Sequence, residues 1–434
     1  MEIAGYLKSH RRVLLVLCSL VIIVGYTRPV LADGSLFGRT VSHIQVSGND
    51  KTQTRFVLKW ANIKIGAQLN QQLIDRARRE LLDTELFKQV SISAEADGDQ
   101  ARVLISLKEK RYWLLLPRLR RTSDGDIKTG LRLTMHNIDG ADQTLRALIE
   151  KTETSSGEDS TRYLIDYQLP QYSRPYEYNI AFGQSTTFTE EADTGFKNVE
   201  KQDTFIFSVN RDWHTSLLTR PLTLYAGFGY QQIKLREPYP DNVAGRDEGT
   251  FNRIILRLEY DDIHHQKYRR YGRYYSLIYQ QGLKSFNSDY ESSIVDLVSQ
   301  FYHRINALDN FNTRLFLGFS HNSPFNEQRY NIGGAGSIRG IETDSFSGDA
   351  MLFGNFEYIK GFKKYRSFRT SLFVDVGNVY QDLKSIDVTD LQTSVGIGLR
   401  WKAVAFVKTD LFLDLAYNFE TENTKLYGGT RLNF

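Results

Sequence analysis

From Arg111 to Phe434 the chain shows no amphipathic helix. It runs instead through a near-unbroken series of segments in which apolar and polar residues alternate. Successive side chains of a strand point to opposite faces. In Ile254–Tyr260, Ile254, Leu256, Leu258 and Tyr260 therefore share one face, while Arg253, Arg257 and Glu259 share the other. Phe205–Val209, Leu411–Tyr417 and Leu426–Phe434 alternate in the same way. Charges within strands that stay apolar on one side suit a wall with lipid outside and water inside, the pattern of a transmembrane β-barrel. A soluble β-sandwich does not account for so long a series behind an export signal.

Turn signals divide the series into sixteen candidate strands, starting near residues 111, 127, 142, 161, 176, 202, 221, 250, 270, 291, 311, 349, 367, 391, 405 and 424. About twenty residues for each strand with its connection matches membrane strands of ~9–11 residues. The expected fold is membrane all-β, a 16-stranded antiparallel barrel over residues 111–434. Connections alternate in length. Asn137–Gly140, Ala307–Asn310 and Phe362–Tyr365 suit periplasmic turns, whereas Thr187–Lys201 and Glu237–Thr250 suit polar exterior loops. An even strand count leaves both ends of the barrel in the periplasm.

Composition excludes other classes. A mean hydropathy of −0.40 does not fit a helical membrane protein, while 25 tyrosines and 26 phenylalanines suit a barrel. A net charge of +4 on 434 residues predicts no nucleic-acid partner. The one cysteine, Cys18, leaves no disulfide framework and no cysteine metal site. Residues 1–32 read as a signal peptide: Lys8, Arg11 and Arg12 precede the uncharged run Val13–Val24, and Val30–Ala32 forms a small-residue cleavage site. That run is shorter than the ~20 residues of a spanning helix. Leu17 stands where lipidation of Cys18 would want a small residue, so export with cleavage after Ala32 is expected.

Residues 38–110 carry different periodicities. Val41–Val46 reads as a strand. A helix is expected from Asp50 to about Ala61, with Gln53 completing a capping box. Asn70 caps a second helix over Gln71–Phe87, where Ile74, Ala77 and Leu81 form the apolar stripe. Strands Lys88–Ala94 and Ala101–Leu107 then flank an Asp97-Gly98-Asp99 turn. The order β-α-α-β-β predicts a compact α+β unit.

One stretch of the barrel half stands apart. Asn331–Gly340 reads N-I-G-G-A-G-S-I-R-G, with Gly333, Gly334, Gly336 and Gly340 around a single charge, Arg339. Such glycine density allows close backbone approach. It matches no enzyme loop: Ala335 occupies the position where a nucleophile elbow at Ser337 needs glycine, and Arg339 the position where a dinucleotide loop needs one. His264 and His265 lack a third metal ligand, and His136 and His303 read as turn or lumen residues. No enzymatic activity and no cofactor are expected.

Several motifs together resemble a known family. The strand ending in Gly48-Asn49, the Gly66/Leu69 entry to the second helix, the Leu86-Phe87/Val90 link and the closing Leu-x-Ile-x-Leu-Lys-Glu are similar to a POTRA domain. Ser337-Ile338-Arg339-Gly340 resembles the V-R-G-F/Y loop motif of the BamA/TamA superfamily, with Ile341 in place of the aromatic. Gly354-Asn355-Phe356-Glu357-Tyr358 and Phe373-Val374-Asp375-Val376-Gly377-Asn378-Val379-Tyr380 resemble two further signatures of that family. The chain ends in phenylalanine, and Leu426, Gly428, Thr430, Leu432 and Phe434 share a face, like the C-terminal signal by which outer-membrane barrels are recognised.

The resemblance implies an outer-membrane protein with one periplasmic POTRA-like domain, and a conserved-type loop, residues 322–348, between the eleventh and twelfth strands. It implies insertion of proteins into the outer membrane, or their translocation across it. The partners it implies are the lipid bilayer, unfolded outer-membrane or secreted polypeptides, and a periplasmic or inner-membrane protein on the POTRA-like domain. Arg339, with Gly336 and Gly340, is then the loop anchor. Asp375 and Glu357, which share the lumen face of adjacent strands, are its acceptors, Asp375 first and Glu357 second. Two other readings remain: a dedicated secretion pore, which usually brings two POTRA domains and a plug helix too long for residues 33–40, and a plain channel or structural barrel.

Overall fold

The computed structural model describes residues 36–121, 127–153, 159–170, 176–190, 197–238, 246–342 and 345–430. The signal peptide expected over residues 1–32 lies outside them, as do Leu432 and Phe434 of the C-terminal signal.

The N-terminal unit is a three-stranded sheet under two helices. Strands β1 (Val41–Ser47), β2 (Phe87–Asp97) and β3 (Gln100–Glu109) lie in the order β1-β3-β2, with β1 parallel and β2 antiparallel to β3. The helices Thr54–Ala61 and Gln71–Asp83 bury Val57, Ala61, Ala77 and Leu81 against Val41, Val103 and Ile105 of the sheet. Asn70 caps the second helix through Leu73 N–H (2.8 Å). That helix ends at Asp83 rather than Phe87. The first begins at Thr54, not Asp50, and Gln53 forms no side-chain cap. The Gln53 amide instead donates to the Asp139 carbonyl (2.6 Å) in a turn of the barrel, a tertiary contact that no local pattern encodes.

The barrel half is a 16-stranded sheet in sequence order, each strand antiparallel to its neighbours. Alternation places residues as the sequence requires. Leu256, Leu258, Leu413 and Leu415 are exposed on the outer wall, while Asn355, Glu357, Asp375 and Asp414 are buried inside. Two expected boundaries moved. The fifth and sixth strands, Glu177–Glu190 and Lys197–Trp213, run through most of the loop expected at Thr187–Lys201, pairing up to Glu190↔Lys197. Polar residues pair above the lipid as well as within it, so polarity alone does not mark a strand end. The fifteenth strand starts at Asp410 rather than near 405. Residues 403–409 form a turn that holds the interdomain linker: Arg111 N–H donates to the Ala405 carbonyl (2.8 Å) and Val407 N–H to the Arg111 carbonyl (3.2 Å).

The small domain sits against the periplasmic turns. Asp83, at the end of the second helix, accepts from Arg220 (2.5 Å), from His264 Nδ1 (2.9 Å) and from His265 N–H (2.7 Å). Arg220 also reaches Glu80 (2.5 Å). The two histidines thus join domains. Burial pushes the neighbouring Glu85 carboxyl up, yet His265, Lys402 and Lys408 outweigh it and hold it well below the usual carboxylate range. Asn137 donates to Thr52 (2.8 Å), and Gln53 N–H to the Gly140 carbonyl (3.0 Å).

Two predictions arise here. Asp83→Ala removes three acceptor contacts at once, so hydrogen exchange of helix Gln71–Asp83 and of residues 214–221 should rise while the barrel's thermal transition stays put. Unchanged exchange would show that the domains are held elsewhere. Loop lengths also fix orientation. A tag within residues 236–248 should bind antibody on intact cells, and a tag within 305–309 should not; the opposite pattern would invert the barrel.

Candidate functional site

The glycine-rich stretch folds inward from the loop between the eleventh strand (Asn310–His321) and the twelfth (Ala350–Gly361). A short hairpin, Tyr330–Ile332 paired with Phe346–Gly348, starts the descent, and Tyr330 Oη donates to Asp296 on the wall (2.7 Å). The tip needs its glycines where the chain turns tightly. Gly333 has φ +125, and a Cβ there would lie 1.8 Å from the Glu342 carbonyl oxygen. Gly340 has φ +96 and presses against the Asn418 backbone, so a side chain is strained at both positions. Gly340 N–H donates to Tyr427 Oη (3.0 Å), which itself donates to the Ile341 carbonyl (2.8 Å). Gly336 gives its carbonyl to Arg314 (2.9 Å).

Arg339 is 1% exposed. Its Nε and Nη2 make a fork of two 2.7 Å bonds to Asp375 on the thirteenth strand (Phe368–Tyr380), and its backbone N–H donates to the same carboxylate (3.1 Å). Its Nη1 donates to Asp414 on the fifteenth strand (Asp410–Asn418) at 3.0 Å. The guanidinium carbon lies 3.4 Å from the centroid of the Phe373 ring, a cation–π contact in a water-poor setting. Asn355 completes the cage, donating to Asp375 (2.9 Å) and to the Ser337 carbonyl (2.6 Å).

The second acceptor differs from expectation. Glu357 faces the lumen, but it accepts from Arg400 of the fourteenth strand (Gln392–Lys402), and Arg400 also donates to Asp414. Asp414 is therefore the shared acceptor of two arginines, fully buried between them. The alternation in Leu411–Tyr417 held the signal for it: an acid opposite to Leu411, Leu413 and Leu415 faces the lumen. Arg400, opposite to Leu399 and Trp401, is legible in the same way.

Two arginines and three carboxylates cannot be left dry unless they satisfy one another. Here they tie the loop tip to strands twelve, thirteen, fourteen and fifteen, and Tyr427 adds the sixteenth (Thr424–Thr430). The cluster holds the last five strands to one inward loop and offers no nucleophile–base pair. Gly428 lies in the sixteenth strand opposite Leu413, on the outer face with Leu426. Among the described residues no backbone pairing joins this strand to the first (Trp113–Arg121).

Comparison with known proteins bears on the family and the fold. Residues 137–433 match the Omp85 superfamily domain, and residues 39–110 match the surface antigen variable number repeat, a POTRA domain. BamA from Haemophilus ducreyi lacking POTRA domains 1–3 is similar in fold, with 18% identity, a TM-score of 0.54, and coverage of 91% of this chain and 85% of that one. CdiB from Acinetobacter baumannii (14% identity, TM-score 0.61, 92% and 74% covered) and CdiB from Escherichia coli (14%, 0.62, 90% and 76%) share it too. No curated protein matches the sequence. The chain belongs to the Omp85 superfamily, an outer-membrane barrel with its POTRA domain in the periplasm, in a family that assembles proteins in that membrane or moves them across it.

Proposed function

We propose that the protein inserts unfolded β-barrel polypeptides into the outer membrane, acting without chemistry or nucleotide. The client docks on the POTRA domain and passes at the seam between the first and sixteenth strands. The observation that carries this reading is the contrast along the wall. Every other neighbouring strand pair is held by a ladder of backbone bonds, and the loop clamp braces strands twelve to sixteen. The seam alone has no backbone pairing among the described residues. An unpaired strand edge is a template for another strand, and extended peptides add to such edges through main-chain hydrogen bonds. Gly428 and Gly429 lower the pairing strength of the closing strand further.

The test is delivery of a urea-unfolded barrel precursor to vesicles with and without the protein. Faster appearance of membrane-embedded, protease-resistant precursor is the expected result. Precursor recovered soluble inside the vesicles would mean a secretion pore. A large single-channel conductance without any effect on the precursor would mean a plain channel.

A further inference from the structure

The inner wall is not polar throughout. The second, third and fourth barrel strands are Ile127–Ile138, Gln143–Glu153 and Asp159–Leu169. Across the first four strands the register lines up Leu116, Arg132, Leu148 and Leu164 in one row of the inner face. The next row towards the periplasm holds Leu114, Thr134, Arg146 and Asp166. Four leucines facing the lumen depart from the apolar-out, polar-in pattern of a barrel wall, as Phe353 and Phe373 do beneath the inward loop. A cavity of about 290 Å³ lies over them. Its lining reaches from Trp113 of the first strand and Thr430 of the sixteenth to Arg111 and Lys408.

The charges around it are unbalanced. Among the described residues Arg118, Arg132, Arg146 and Arg162 share this inner face of the first four strands with two acids: Arg118 pairs with Glu150 and Arg146 with Asp166, both at 2.7 Å. Arg132 stands among the leucines with no ion-pair partner among the described residues. Apolar floor, a guanidinium without an ion-pair partner among the described residues, and a lining that reaches both edge strands of the seam occur together in one place.

We infer that this cavity receives part of one anionic phospholipid of the periplasmic leaflet, its phosphate and the first stretch of one acyl chain, entered from the seam while the rest of the lipid stays in the bilayer. Its acyl chain lies over Leu116, Leu148 and Leu164, and its phosphate sits at Arg132 and Arg146. Guanidinium groups pair well with phosphate oxygens, and basic pockets between membrane elements on the inner side recognise lipid headgroups. An uncharged apolar occupant would leave Arg132 facing it. An occupant taken from the aqueous lumen would have no cause to cover four leucines. A lipid here would keep the seam edge of the first strand in an apolar setting, and it does not depend on which polypeptide the protein handles.

The test uses the full chain in phosphatidylcholine vesicles containing phosphatidylglycerol with a photoactivatable acyl chain. After irradiation, peptides bearing Leu148 and Leu164 should carry label, although both residues face away from the bilayer. Arg132→Gln should lower that lumenal labelling at least five-fold and leave labelling of the outward Leu131 and Leu133 unchanged, which also shows that the barrel remains embedded. Labelling confined to outward residues would overturn the inference, as would equal lumenal labelling from a phosphatidylcholine probe. A second variant, with p-benzoylphenylalanine in place of Leu164, reports the occupant in cells. A phospholipid adduct supports the inference, whereas an adduct to a polypeptide or to a second copy of the chain overturns it.

Discussion

Arg339→Ala should free the inward loop while leaving a barrel that is folded and embedded in the membrane. The side chain is almost fully buried, and its loss strands Asp375 and Asp414 without their shared cation. Breaking a dry ion pair by removing one partner costs ~3–5 kcal/mol, set against the tip's remaining bonds to Arg314, Asn355 and Tyr427 and the burial of Ile338 and Ile341. The readout is protease cleavage between residues 330 and 342 on intact cells, which should go from negligible to rapid, with assembly activity falling alongside. Arg339→Lys should rescue poorly. Lysine carries one compact charge and cannot reproduce a two-bond fork on Asp375 together with a third bond to Asp414. A double-mutant cycle on Arg339 and Asp375 should show coupling of ~0.5–3 kcal/mol, and strictly additive effects would mean that the pair contributes nothing.

The second large effect belongs to a residue that motif reading passed over. Asp414→Ala removes the acceptor common to Arg339 and Arg400, leaving two buried guanidinium groups short of partners. Glu357→Ala strips only Arg400, which keeps Asp414. Loop release should therefore be far greater for Asp414→Ala than for Glu357→Ala, and coupling to Arg339 greater as well. If Glu357 coupled to Arg339 more strongly than Asp414 does, the arrangement of the cluster would be wrong.

The difference between Asp375 and Asp414 shows what the sequence could reveal. Strand alternation is a local property, so the number of strands and the inner face of most of them are visible from spacing alone. Asp375 was legible because it adjoins the loop in sequence and lies in a strand of recognisable pattern. Asp414 lies two strands further round the wall. Its distance from Arg339 is set by barrel curvature and by how deep the loop descends, neither of which leaves a periodic trace. Gln53 fails for a related reason: the sequence places it correctly for a local cap, and a turn of the barrel takes its side chain instead. His264 and His265 likewise acquire meaning only once the second helix of the small domain is laid against the barrel, with Asp83 in reach of both.

The central claim is that clients pass at the seam, and a covalent lock tests it most directly. Cysteine pairs placed across Trp113–Leu119 and Leu426–Thr430 should include one that oxidises to a disulfide in the membrane. The barrel keeps its shape in that state, but its edges can no longer part. Insertion of precursor into vesicles should stop in the oxidised protein and return when the disulfide is reduced. Insertion at the unlocked rate through a fully locked seam would contradict the account.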